Sequence, residues 1–89
     1  MRNYRVMFAR SARKELERIE SDMMPRILSK IESLSQTPRP RDSRKLRTQT
    51  ALWRIRIGDY RVIYGIDDTQ CVIDIVAIRH RSDAYEGLP

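Results

Sequence analysis

The chain has 89 residues, enough for one small domain over 1–89 and too few for a Rossmann fold or a large barrel. Lys and Arg number 18 against 12 Asp and Glu, a formal charge of +6, and the 40% apolar content with three Gly and four Pro is globular rather than disordered or fibrous. No apolar run is long enough to span a membrane, Met1 is followed at once by Arg2, Tyr4 and Arg5 rather than by an apolar leader, and the single Cys71 excludes an internal disulfide or a cysteine-based zinc site, so a reducing, cytosolic compartment is expected.

Residues 3–8 alternate, with Tyr4, Val6 and Phe8 on one side, and predict a short strand. Ser11 is the expected N-cap of a helix whose apolar positions are Ala12, Leu16, Ile19 and Met23, with Arg13, Lys14, Glu17 and Glu20 on the charged face. Asp22 is the expected cap of a second helix, with Pro25 in its first turn and Met24, Ile27, Leu28, Ile31 and Leu34 as its apolar stripe. The short join predicts an antiparallel helical hairpin, closed off by Thr37-Pro-Arg-Pro40. The four Met read as core filler and chain start. Residues 38–50 form a basic loop. Leu52–Ile57 then alternates, Gly58-Asp59 is a two-residue turn, and Tyr60–Ile66 alternates again, which predicts a β-hairpin. Asp67-Asp68 fall in a turn and look solvated. The near-continuous apolar run Cys71–Ile78 predicts a last strand in a central or doubly covered position. The expected fold is α+β, in the order β-α-α-β-β-β, with the helical hairpin packed on one face of an antiparallel sheet.

Charge is unevenly spread along this order. Residues 39–61 hold eight basic side chains against two acidic ones, a segment charge equal to that of the whole chain, and 15 of the 18 basic residues are Arg. Guanidinium presents a rigid fork of donors, suited to bidentate contacts with phosphate or carboxylate. A two-residue turn at Gly58-Asp59 sets Ile57 opposite Tyr60, Arg56 opposite Arg61, Ile55 opposite Val62 and Trp53 opposite Tyr64. One face of the hairpin is then a core, and the other carries Arg54, Arg56 and Arg61. Like charges placed opposite each other destabilise a sheet, and Arg54 and Arg56 sit roughly 7 Å apart along the strand, comparable to neighbouring phosphates of an extended nucleic acid. An anion, phosphate above all, explains the cluster better than stability does. The competing explanation is a salt-bridge network through Asp74, Asp83 or Glu86.

The segment Arg79-His-Arg-Ser-Asp-Ala-Tyr85 should land beside the hairpin, adding two guanidiniums, the only His and a Tyr. His80 is the side chain suited to acid–base work at neutral pH, and flanking cations favour the neutral form that a general base requires. Tyr85 could stack on a base or position a phosphate; equally, it could anchor the tail by packing. Nothing matches a Walker or dinucleotide-binding Gly pattern or HExxH, and one His with one Cys leaves no triad or transition-metal site. No cofactor and no metal are expected.

The runs Lys45-Leu-Arg47, Trp53-Arg-Ile-Arg-Ile-Gly-Asp-Tyr-Arg-Val-Ile-Tyr64 and His80-Arg-Ser-Asp-Ala-Tyr85 resemble the RelE/ParE superfamily of bacterial toxin–antitoxin toxins, and more closely its RelE branch. The resemblance covers nearly the whole chain. It implies a toxin that enters the ribosomal A site and cuts message without a metal, by in-line attack of the 2′-OH on the adjacent phosphate. It also implies a cognate antitoxin with an acidic, amphipathic segment. Carried over by position, Arg54 and Arg56 fall on the paired basic residues before the turn, and Arg61 would hold the scissile phosphate. Arg79 would stabilise developing charge, and Tyr85 would orient the nucleotide. Arg44, Lys45, Arg47 and Arg81 are the expected further RNA contacts. The RelE pattern has Lys at the first two positions, where this chain has Arg. Arginine keeps its proton at any physiological pH, so the base must be His80, Tyr85 or the 2′-OH aided only by electrostatics, and His80 is the expected one. Two alternatives stand beside this: a ParE-like toxin acting on DNA gyrase through protein contacts alone, and an inactive toxin kept as a binding partner.

Overall fold

The structure is a computed structural model that describes residues 3–48 and 50–83. Strand β1 (Arg5–Phe8) leads into helices α1 (Arg10–Glu17) and α2 (Met24–Ser33). Strands β2 (Arg44–Lys45), β3 (Trp53–Ile57), β4 (Tyr60–Asp67) and β5 (Val72–His80) follow, and a 3-10 turn over Arg81–Asp83 closes the described chain. The five strands form one sheet in the order β1-β5-β4-β3-β2. Among the described residues, no helix is long and apolar enough to cross a membrane.

The sheet is mixed rather than antiparallel, because β1 runs parallel to β5. Only strands joined by a tight turn must run in opposite directions, and most of the chain separates β1 from β5. The β3–β4 hairpin has the register its turn dictates, from Ile57 opposite Tyr60 to Trp53 opposite Tyr64. Gly58 adopts φ +59°, the left-handed value needed at the first central position of such a turn. A Cβ there would lie 3.0 Å from the Met23 methyl, which packs beneath the turn.

Both helix starts differ from expectation. Ala9, not Ser11, is the N-cap of α1, since the Ala9 N–H donates to the Ile75 carbonyl at 2.9 Å and strand pairing fixes where the helix can begin. Ser11 instead donates its hydroxyl to the Val76 carbonyl. The first helix ends at Glu17, and Met23, not Asp22, caps α2, with Pro25 in the first turn as expected. The helices cover one face of the sheet. There Ala12, Ile19, Ile27, Ile31 and Leu34 meet Ile55, Ile57, Val62, Tyr64, Ile73, Ile75 and Ile78, all buried. Met23 and Met24 fill this core, but Met7 lies on the opposite face and is 49% exposed.

The opposite face is open except for a small cluster of Leu52, Ile63 and Ala77, shielded by Leu46 and Val76. A bulge explains the apolar run of β5. Ile63 pairs with Ala77 and Tyr64 with Ile75, so Val76 is an extra residue and the run serves both clusters.

Asp68 is not an idle turn carboxylate. It accepts from the Tyr4 hydroxyl at 2.7 Å and pairs with Arg39 at 2.9 Å, a hydrogen bond that raises the pKa of the guanidinium, which also stacks 5.3 Å from the Trp53 ring centre. Asp67 accepts from the Gln70 N–H and closes the turn. The Tyr64 hydroxyl donates to the Pro38 carbonyl at 2.7 Å. These contacts fasten residues 38 and 39 to the sheet, and the chain that follows them is led to β2.

Candidate anion-binding site

Alternation along the strands sorts the basic residues by face. On the open face, Arg56 lies opposite Arg61, and Arg61 lies opposite Arg79, so three arginines form a row across β3, β4 and β5. Neighbouring strands are about 4.8 Å apart, which makes the row roughly 10 Å wide at the backbone. A second row begins with Arg44 opposite Arg54 and runs into the apolar pair Ile63 and Ala77. β2 therefore adds Arg44 to the cluster. Lys45, opposite Trp53, faces the other way, and Arg47 is exposed just beyond the strand.

Arg44 and Arg56 are exposed, while Arg54 and Arg61 are half-buried. Among the described residues no carboxylate forms a salt bridge with Arg54, Arg56 or Arg61. Asp74, the nearest suspect on β5, stands opposite Gly65 towards the far end of the sheet. The Asp42 carboxyl lies below its usual pKa because Lys30 bonds it at 2.9 Å, and the Arg54 guanidinium pulls it the same way. Arg61 makes one long bond, from Nη1 to the Tyr60 carbonyl at 3.2 Å. Like charges facing across strands work against the sheet, so the row is a surface that gains from an anion. A bound phosphate would meet fixed donors on a rigid strand pair, the arrangement that stabilises charge built up during phosphoryl transfer.

Arg79 belongs to the row by register, but its Nε donates to Glu15 Oε2 at 2.9 Å, at the edge of β5. Glu15 was not legible as part of the site, since it reads as one more charge on the polar side of α1. The separation from Arg79 is 64 residues.

His80 stands apart from the row. It lies opposite Tyr60 on the helix-covered face, with the two rings edge-to-face at 5.8 Å. Its Nδ1 is 3.2 Å from the Ser82 hydroxyl, and it lines a cleft of about 220 Å³ with Glu15, Arg18, Ile19, Tyr60, Ile78 and Arg79, so the Arg79 side chain reaches this cleft as well. The structure thus brings together Arg54, Arg56, Arg61 and Arg79 on one face and places His80 round the end of the same strand. As expected, the segment after β5 returns to the hairpin. The Arg81 N–H donates to the Asp59 carbonyl at 2.7 Å, and the Arg81 Nε lies 4.0 Å from the Asp59 carboxylate. That exposed pair is worth under about 1 kcal/mol. Tyr85 and Glu86 lie outside the described residues, as does the side chain of Asp83. No group of three or more His, Cys, Asp or Glu able to hold a metal occurs among the described residues.

Residues 6–85 match the family described as the ParE toxin of the type II toxin–antitoxin system parDE. Toxin RelG of Mycobacterium tuberculosis is 34% identical, over 92% of this chain and 95% of its own length. Among solved structures, the archaeal RelE–RelB complex of Pyrococcus horikoshii superposes with a TM-score of 0.80 at 33% identity, covering 92% of this chain and 99% of that one. The RelBE2 toxin–antitoxin complex of M. tuberculosis gives 0.78 at 30% identity, covering 89% of this chain and 99% of that one. With that match running from β1 beyond the end of β5, the chain belongs to the RelE/ParE superfamily of type II toxin–antitoxin toxins.

Proposed function

We propose that this toxin is a cytoplasmic, ribosome-dependent endoribonuclease that cuts translated message and so inhibits translation. The observation that carries the reading is the row of Arg56, Arg61 and Arg79 on the open sheet face, flanked by Arg54 and Arg44. In the reaction, the 2′-oxygen of one nucleotide forms a bond to the adjacent phosphorus and the bond from phosphorus to the 5′-oxygen breaks. The products are a 2′,3′-cyclic phosphate and a 5′-hydroxyl, the departing 5′-oxygen taking its proton from water. Arg61 holds the scissile phosphate, Arg79 and Arg56 meet the charge that grows on its oxygens, and Arg54 grips the neighbouring phosphate. Arg44, Lys45, Arg47 and Arg81 hold the flanking RNA, and Tyr85 orients the nucleotide. No step calls for a metal.

The 2′-OH proton must go to a base, and arginine cannot take it. His80 fills that role when the message bends round the end of β5, between the Arg row and the His80 cleft. The face on which His80 lies makes this a separate test. A His80→Gln variant should lose at least about 100-fold in rate, within the range of a lost general base. A smaller loss leaves the phosphate grip standing and assigns activation of the 2′-OH to the guanidiniums alone.

The partner in this reading is a cognate antitoxin whose acidic, amphipathic segment covers the Arg face. Complexes of RelE with RelB among the structural relatives support such a partner. The experiment is primer extension on a translated message after induction, in wild type and Arg61→Ala. Cleavage by the wild type and none by the variant is expected; equal cleavage removes the mechanism. The matched family description favours one second reading, a ParE-like toxin acting on DNA gyrase without chemistry of its own. A DNA-damage response with intact message would select it.

A further inference from the structure

Glu15 stands where the sheet stops being a sheet. Strand β1 pairs with β5 only as far as Phe8 and Ile75, and beyond that point α1 packs along β5 instead of a strand. The Ile78 N–H on that edge donates to Glu15 Oε1 at 3.0 Å, while Oε2 accepts from Arg79 Nε at 2.9 Å. One carboxylate therefore grips a strand amide and the guanidinium of the next residue. Arg79 and Glu15 are only 20% and 25% exposed, so the pair is screened less than one at the rim.

A neutral acceptor, Gln or Ser, would satisfy the Ile78 amide equally well. A negative charge beside an anion-binding row weakens its hold on phosphate, so the charge needs another use. Bonding at Nε, the guanidinium nitrogen nearest the backbone, fixes the plane and direction of the group. It also offsets repulsion between Arg79 and Arg61, which face each other across β4 and β5.

We infer that Glu15 is a positioning residue, holding Arg79 at the flank of the Arg56–Arg61–Arg79 row in the orientation that meets the phosphate. The inference rests on the nucleolytic reading above. The test measures message cleavage on programmed ribosomes, with kcat and KM separated, for wild type, Glu15→Gln, Arg79→Ala and the double variant. Proton exchange at Arg79 Nε is followed in the same proteins by NMR. Glu15→Gln should lower kcat about tenfold with KM within about twofold, and should add nothing to Arg79→Ala, as expected of two residues acting as one unit. Exchange at Nε should quicken at least about tenfold in Glu15→Gln, since the charge-assisted bond that protects it is gone. Unchanged kcat in Glu15→Gln, losses that multiply in the double variant, or unaltered Nε exchange would each overturn the inference. If the wild type itself cuts no message, the nucleolytic reading fails instead, and the exchange measurement alone decides whether Glu15 orients Arg79.

Discussion

The open face of the sheet has two unlike ends. At one, Arg44, Arg54, Arg56, Arg61 and Arg79 crowd together by register, and the described residues supply one bonded carboxylate, Glu15. At the other, Leu52, Ile63 and Ala77 are buried beneath the chain around Leu46, with Met7 exposed and the acidic Asp67 and Asp74 on the same surface. Both ends are built on the same strands and backed by the same helix-covered core, yet one opposes folding electrostatically and the other adds to it. The helical layer stabilises the molecule from behind, which leaves the front free to carry unbalanced charge. Substitutions at the two ends should therefore fail in opposite ways, the basic end in activity and the apolar end in stability.

Arg61→Ala is the sharpest test of that division. Cleavage should fall at least about 100-fold, the scale of one lost transition-state donor. The melting temperature should hold or rise, because a like-charge neighbour of Arg56 and Arg79 disappears; a large fall in melting temperature would erase the contrast. At the other end, Ile63→Ala removes a fully buried side chain and should cost about 2–4 kcal/mol in denaturant unfolding, with cleavage per folded molecule within about twofold. The core behind both ends carries its own signature. Burial pushes the Tyr64 hydroxyl from its usual 10 up to about 12, so the folded state favours the protonated form. That contribution is fully present below pH 10 and is lost as pH rises from 10 to 12, about 3 kcal/mol in all. Tyr64→Phe should remove this alkaline loss in pH-dependent melting. Least disruptive is Gly58→Ala, which forces a left-handed φ on an ordinary residue and crowds Met23. It should cost about 1 kcal/mol by thermal melting.

Legibility followed distance along the chain. The Arg56–Arg61 pairing could be read directly, because Gly58-Asp59 and strict alternation fix a hairpin register locally. The helices were legible as elements, but their starts were not. At Ala9 a hydrogen bond to β5 overrode the better capping residue, Ser11. β2 has two residues, too few to show any period, so Arg44 looked like part of a loop. The contacts of Asp68 with Tyr4 and of Arg79 with Glu15 each join groups 64 residues apart, and no local pattern announces them. His80 looked like a member of the Arg cluster because neighbours in sequence are on opposite faces of a strand, a distinction that depends on knowing the phase of β5.

That phase is set by Val76. Counting by twos from Ile73 and Ile75 along an unbroken strand would point Arg79 into the helical layer and turn His80 outward beside Arg61. One supernumerary residue reverses the count, so Ile78 returns to the interior and Arg79, not His80, stands opposite Arg61. Deleting Val76 would remove the bulge and keep every pairing, with Ala77 opposite Ile63 and Arg79 opposite Arg61. Pairing Val76 in an unbroken ladder would instead put His80 in place of Arg79, so the bulge sets through parity which side chain a ligand meets.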